Sequence, residues 1–183
     1  MENTGIWSKE EAEEHHAFSK KLAELLIGQL NLSLPIIDFG CGNGAYVDYL
    51  KDKGANDIIG YDGTEFEHEL IKQHDLTKPL KLKEKAQIIC LEVGEHIPSK
   101  YEKVLLDTLT KNSSGIIILS WAIPGQGGLG HVNEQTNRHV IVEMRNRQYG
   151  LDGEATTKLR EGMKTDKLWW FANTLMVFKK LSA

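Results

Sequence analysis

The chain has 183 residues, 40% of them hydrophobic and 26% charged, and a formal net charge of −4 at pH 7: enough for one globular domain with a real core, and too acidic for a sequence-independent nucleic-acid binder, although a nucleic acid on a local basic patch stays open. Two cysteines, Cys41 and Cys90, make no disulfide framework and point to reduced thiols in the cytoplasm. The start MENTGIWSKEEAEEHH is polar and acidic, unlike a signal peptide, and no apolar run reaches the length of a membrane span.

Ser8 and Glu11 in SKEE form a capping-box pattern, which predicts a helix from about Lys9 to Ile27 that ends near Gly28. His15, Phe18, Leu22 and Leu25 recur at helical spacing and define its inward face. Four apolar runs read as buried strands: Pro35–Phe39, Asp57–Tyr61, Ala86–Val93 and Gly115–Ala122. Helical patterns at Ala45–Lys53 and Ser99–Lys111 separate some of them, so the strands should be parallel with helices on both faces. The segment from Asp62 to Asp75 is short; it predicts a stunted helix near Glu65–Leu70 and an edge strand around Gln73–Leu76. After Ala122 comes the glycine-rich loop PGQGGLGHVNEQ, then a helix capped by Asn133 and running to about Gln148. Tyr149–Leu151, a helical stretch near Ala155–Met163 and a strand at Thr174–Lys179 follow, with the closing strands expected as an antiparallel hairpin. With no repeat, low-complexity segment or linker, residues 1–183 read as a single domain.

Gly40, Gly42 and Gly44 lie between a predicted strand and a predicted helix, where missing side chains let backbone approach a nucleotide. Asp62 falls at the end of the second strand, placed to accept hydrogen bonds from ribose hydroxyls. Asp38, two residues before the first glycine, would repel a pyrophosphate, and no lysine or arginine in the loop meets a phosphate. An acid there suits a cationic ligand; S-adenosylmethionine carries a sulfonium and an ammonium. Cys41 reads as a small loop residue, since no cationic neighbour activates it as a nucleophile.

These residues carry a resemblance. D-F-G-C-G-N-G followed by G-Y-D resembles the first two motifs of the Rossmann-like (class I) S-adenosylmethionine-dependent methyltransferases. His74-Asp75-Leu76 is similar to the adenine-contacting segment of that family, and Leu91-Glu92-Val93-Gly94-Glu95-His96-Ile97-Pro98 to its fourth motif. LEVGEHIP together with GQGGLGHVN resembles small stand-alone methyltransferase-domain proteins of bacteria and large viruses. The resemblance implies an α/β fold: a three-layer α/β/α sandwich with a mostly parallel seven-stranded sheet and an antiparallel C-terminal hairpin. It implies S-adenosylmethionine as cofactor, held by Asp38, Gly40, Cys41, Gly42, Gly44, Asp62, Gly63, Asp75, Leu76 and Leu91. For Asp75 a solvated loop acid is an equal reading.

Glu92, Glu95 and His96 follow the fourth strand at the cofactor edge of the sheet, and three readings stay open. His96 has the intrinsic pKa of a base that removes the acceptor's proton, with Glu92 and His131 beside it. Alternatively, E-x-x-E-H resembles the segment of methyltransferases acting on the 3′-terminal ribose of small RNAs and of ubiquinone-pathway O-methyltransferases, which implies a divalent metal on Glu92, Glu95, His96 and His131. In the third, Glu92 binds backbone amides of the cofactor loop, and Glu95 and His96 cap the next helix.

The loop WAIPGQGGLGHVN offers Gln126, His131 and Asn133, and reads as part of an acceptor pocket. Its glycines before a helix could also cradle a phosphate. His15 and His16 read first as packed helix residues, on a helix that can lid the cofactor cleft with Trp7 and Phe18 as apolar cover. Trp169 and Trp170 read as core and edge packing, and Arg138, Arg145, Arg147 and Arg160 are too spread for a nucleic-acid track. The expected function is methyl transfer to an oxygen or nitrogen of a small-molecule or sugar acceptor, with a ribose 2′-hydroxyl or a non-catalytic cofactor-binding module as alternatives. The missing Asn/Asp-Pro-Pro-Tyr/Phe motif of amino methyltransferases leans toward oxygen.

Overall fold

The computed structural model describes residues 4–182. Its strands are β1 (Ile36–Phe39), β2 (Ile58–Asp62), β3 (Ile71–Gln73), β4 (Ala86–Cys90), β5 (Ser113–Leu119), β6 (Tyr149–Leu151) and β7 (Met176–Lys180). They form one seven-stranded sheet in the order β3-β2-β1-β4-β5-β7-β6. The first five strands pair in parallel, while β7 runs antiparallel to both β5 and β6. Every residue of β1 and β4 is buried, as central parallel strands covered on both faces must be.

The helices are α1 (Lys9–His15), α2 (Lys20–Ile27), α3 (Ala45–Asp52), α4 (Glu102–Asn112), α5 (Asn137–Asn146), α6 (Gly153–Met163) and α7 (Phe171–Thr174). Alternate strand residues face opposite sides of the sheet. Ile36, Ile89 and Ile118 pack with Leu22, Leu26, Leu50 and Met163 of α2, α3 and α6. Ile37, Phe39, Ile88 and Ile117 pack with Leu105, Leu109 and Met144 of α4 and α5. The result is the three-layer α/β/α sandwich with an antiparallel C-terminal pair.

The structure corrects several boundaries. The N-terminal helix is two helices, because Ser19 starts a new one. Its hydroxyl accepts the Leu22 N–H, its own N–H goes to the Tyr46 hydroxyl, and its Oγ donates to Asp166. Those bonds compete with helix continuation and leave residues 16–19 without helical structure. The inward face is Leu22, Ala23 and Leu26, and His15 is exposed. No helix forms at Glu65–Leu70; His68 bonds Asp48 and accepts the Leu70 N–H instead, and the edge strand comes earlier, at Ile71–Gln73. Thr136, not Asn133, caps α5. Asn133 is held elsewhere: its carbonyl accepts the Trp121 indole N–H at 2.7 Å and its amide donates to Glu102. The paired β6 and β7 are not a tight hairpin, since α6 and α7 lie between them. Among the described residues no helix is long and apolar enough to cross a membrane.

Candidate active site

A cavity of about 470 Å³ opens at the carboxyl ends of β1, β2 and β4. Its floor is the turn from β1 to α3. The Gly40 and Cys41 N–H groups both donate to the Tyr61 carbonyl at the end of β2, which folds the turn back over the sheet. Gly40 has φ +76°, and a Cβ there would meet Val93 Cγ2 at 2.2 Å, so the position needs glycine twice over. Gly44, also left-handed, is the N-cap of α3.

Of the sequence-predicted cofactor residues, Asp38, Gly40, Cys41, Gly42, Asp62, Gly63, Leu76 and Leu91 line this cavity. Gly44 lies just behind it, against Ile71. Burial, with the Asp62 charge adding, raises the Asp38 carboxyl to about 7. Asp62 accepts the N–H groups of Gly42 and Thr64 at 2.8 Å each, which fixes its carboxylate at the cavity edge. The Cys41 thiol is pushed far up by burial and the neighbouring aspartates, so it stays protonated and carries no nucleophilic chemistry. Asp75 is not in the cavity wall. Its carboxylate takes the N–H and hydroxyl of Thr77 and pairs with Lys78; burial opposes its ionisation, but those bonds win and lower its pKa.

The segment after β4 separates the residues that sequence spacing put together. Glu92, at φ +52°, gives its N–H to the Ser120 hydroxyl, while its carboxylate accepts from Gln126 Nε2 at 2.8 Å and from the Thr174 hydroxyl. Burial raises its pKa against the opposing hydrogen bonds from Ser120, Gln126 and Thr174. Glu95 is fully buried, and neither carboxylate oxygen has a hydrogen-bond partner. Burial, then the nearby Glu92, drives its pKa well up, so its neutral form prevails. Burial and the neighbouring His131 hold His96 near 4, so its imidazole is neutral at pH 7. The His96 and His131 rings meet edge to face with centroids 5.0 Å apart. Glu95, His96 and His131 can each bring a ligand atom within 4.8 Å of the others, and Glu92 is outside that group.

The glycine-rich loop is folded around a carboxylate of its own. Glu134 accepts the N–H groups of Gly125 and Gly127 at 2.7 Å each, and its Oε1 lies 3.0 Å from His131 Nδ1. The expected phosphate cradle is therefore filled from within. The Val132 and Asn133 N–H groups bond the Glu95 carbonyl, tying the loop to the segment after β4.

The N-terminal strap closes the cavity from above. Trp7 stands edge-on to His96 with centroids 5.0 Å apart, its carbonyl accepts the Thr64 hydroxyl, and Ile6 packs on Gly63. Trp169, Trp170 and Phe171 form the far wall, and Trp169 is 59% exposed.

Residues 10–123, more than half of the chain, match a family described as a methyltransferase domain. The chain belongs to that methyltransferase family. Comparison with curated proteins gives no match. Among solved structures, this methyltransferase resembles a chain of the complex between the Haloferax volcanii Trm112 methyltransferase activator and a methyltransferase, at TM-score 0.67 and 13% identity, over 96% of this chain and 93% of that one. It resembles magnesium protoporphyrin IX methyltransferase from Synechocystis PCC 6803 with bound SAH at TM-score 0.62 and 16% identity, over 96% and 83% of the two chains. The O-methyltransferase of a trans-AT PKS multienzyme of Brevibacillus brevis, in complex with S-adenosyl-L-homocysteine, follows at TM-score 0.64 and 18% identity, over 88% and 72%. At such identities the likeness speaks to the fold. The family match makes the chain a methyltransferase.

Sequence reasoning about this methyltransferase missed Glu134, although it stands three residues after His131, the interval at which a carboxylate meets an imidazole across one turn. It also missed Trp169 as a cavity residue; two adjacent tryptophans near a chain end read as packing until the sheet order brings them to the cleft.

Proposed function

We propose that this methyltransferase transfers the methyl group to a hydroxyl oxygen of a small, uncharged acceptor with a flat apolar body. One observation carries the reading. Among the described residues lining the cavity there is no lysine or arginine, while Asp38, Asp62 and Glu92 line it together with Trp7, Trp169 and Trp170. A phosphorylated or polynucleotide acceptor would meet carboxylates where it needs cations. Aromatic walls suit a flat, neutral molecule.

In this reading the glycine turn would hold the cofactor, with Asp62 to accept from its ribose hydroxyls and Asp38 to face its cationic end. The acceptor enters between the Gln126–His131 loop and the tryptophans. A bound S-adenosylmethionine would supply the activated methyl group; the chain's part is to hold the acceptor hydroxyl in line with it and to take the hydroxyl proton onto a base. His131 is the base the geometry favours. A carboxylate only accepts, so Nδ1–H of His131 donates to Glu134 and Nε2 keeps its lone pair. His96, neutral beside it, orients the hydroxyl. Glu92 acts by position, holding Gln126 and with it the loop.

A second reading has one specific observation behind it: the unpartnered, buried Glu95 carboxylate beside two imidazoles. Glu95, His96 and His131 are a donor set that fits a divalent ion, which would lower the pKa of an acceptor hydroxyl. Glu92 does not fit, because its oxygens are already bonded to Gln126 and Thr174.

Methyl-labelled S-adenosylmethionine, offered with 2-naphthol, catechol, adenosine and a short oligoribonucleotide, tests the proposal. Label is expected on a phenolic oxygen. Label on the oligoribonucleotide alone would overturn the proposal.

A further inference from the structure

The strap and the glycine turn meet at one side chain that the proposed function leaves unused. His16 is the C-cap of α1, in extended backbone, and turns its ring onto the cofactor loop. Its Nδ1 lies 2.3 Å from where a Cβ on Gly42 would be, so the bare glycine is what admits the imidazole. The ring also meets Tyr46 edge-on, at 6.4 Å between centroids. His16 lines the cavity with Asp38 and Asp62, yet its Nε2 is buried and has no hydrogen-bond partner. A buried polar atom without a partner is costly, and at a cavity wall it points to a ligand that completes it.

The amino-acid end of the cofactor is a zwitterion. Asp38 answers its cationic groups, but its carboxylate needs a donor, and the described lining offers no lysine or arginine. The glycine turn has little to give. The N–H groups of Gly40 and Cys41 go to the Tyr61 carbonyl, that of Gly42 to Asp62, and that of Gly44 to the Cys41 carbonyl. We propose that His16 binds the carboxylate of the cofactor's methionine moiety through its Nε2–H. The inference rests on the cofactor placement proposed above. Burial lowers the His16 pKa and the Asp62 charge works against it; a second carboxylate works in the same direction as Asp62.

The test compares two ligands at one pH. S-adenosylhomocysteine carries the aminocarboxylate; 5′-methylthioadenosine keeps the nucleoside and the sulfur and lacks it. Both are titrated by calorimetry into the wild-type chain, His16→Phe and His16→Gln. His16→Phe is expected to weaken S-adenosylhomocysteine binding by about tenfold or more, the scale of one charge-assisted hydrogen bond. Binding of 5′-methylthioadenosine should stay within about twofold, which also checks that the variant is folded. His16→Gln, which keeps a donor, should recover part of the loss. Equal losses for both ligands, or no loss for either, would overturn the proposal. A wild-type chain that binds neither would overturn the cofactor placement itself.

Discussion

His131 Nδ1 stands 3.0 Å from Glu134 Oε1, and the same carboxylate takes the Gly125 and Gly127 N–H groups. One side chain thus folds the loop and selects the tautomer of the imidazole beside the cavity. Glu134 does not itself line the cavity. Glu134→Ala is therefore expected to lower turnover about ten- to hundredfold, part of the roughly 10²–10⁴-fold that a positioned base contributes. Its affinity for S-adenosylhomocysteine should be unchanged. Initial rates and calorimetry on the same preparation check this; an equal fall in both would reduce Glu134 to a folding role.

Asp38 predicts a pH dependence of cofactor binding. Its carboxyl is raised to about 7, so it is protonated below that pH and offers no charge to a sulfonium. Binding a cation then requires loss of the proton. Affinity for S-adenosylmethionine should rise with pH between about 6 and 8 and level off above, falling up to about tenfold per pH unit on the acid side. Asp38→Asn should weaken binding and flatten that slope. A wild-type affinity independent of pH would remove Asp38 as the group facing the cation.

The parts of the fold legible in the sequence were those with their own local signal. The buried strands announced themselves as apolar runs, and the turn from β1 to α3 by glycines whose backbone only glycine adopts. The capping box at Ser8 and Glu11 forms as the pattern predicts. The misplaced boundaries were set by distant partners. Ser19 breaks the N-terminal helix because Tyr46 and Asp166 bond it, and Asn133 loses the α5 cap because Trp121 and Glu102 claim it. The site divides the same way. That Asp38, Asp62 and His96 line the cavity could be read from strand ends, whereas the surroundings of Glu92 and Glu95 could not. Their spacing is that of a ligand pair, but Gln126 and Thr174 bond one and leave the other alone.

Glu95 distinguishes the two chemical readings. Its folded-state pKa is raised, so between the unfolded carboxyl pKa and the folded one the native state holds a proton that the unfolded chain releases. Stability from this group is full at low pH and declines as pH rises through that window. Glu95→Gln removes the penalty, so the variant should melt at the same temperature as the wild type below the unfolded carboxyl pKa, near pH 4, and higher near pH 8. Under the metal-free reading it also keeps activity in the presence of a chelator. If activity disappears in Glu95→Gln, and chelator stops the wild type until manganese or magnesium is restored, the ion reading takes its place.

Two glycines give opposite expectations for one substitution. A Cβ on Gly94 would meet the Trp121 ring at 2.3 Å. Trp121 is fully buried and its indole N–H is fixed on the Asn133 carbonyl, so the ring cannot yield without loosening the chain two residues beyond His131. Gly94→Ala should cost on the order of 1–3 kcal/mol or more, as overpacking does, and impair turnover as well. Gly153 opens α6 just after the Asp152 cap and has nothing within 4 Å of its Cβ position. There alanine only narrows the unfolded ensemble, and Gly153→Ala should stabilise by about 0.4–1 kcal/mol. Denaturant midpoints of the two variants, with unchanged slopes, check both signs; a neutral Gly94→Ala would mean that Trp121 has room to move and does not hold the loop.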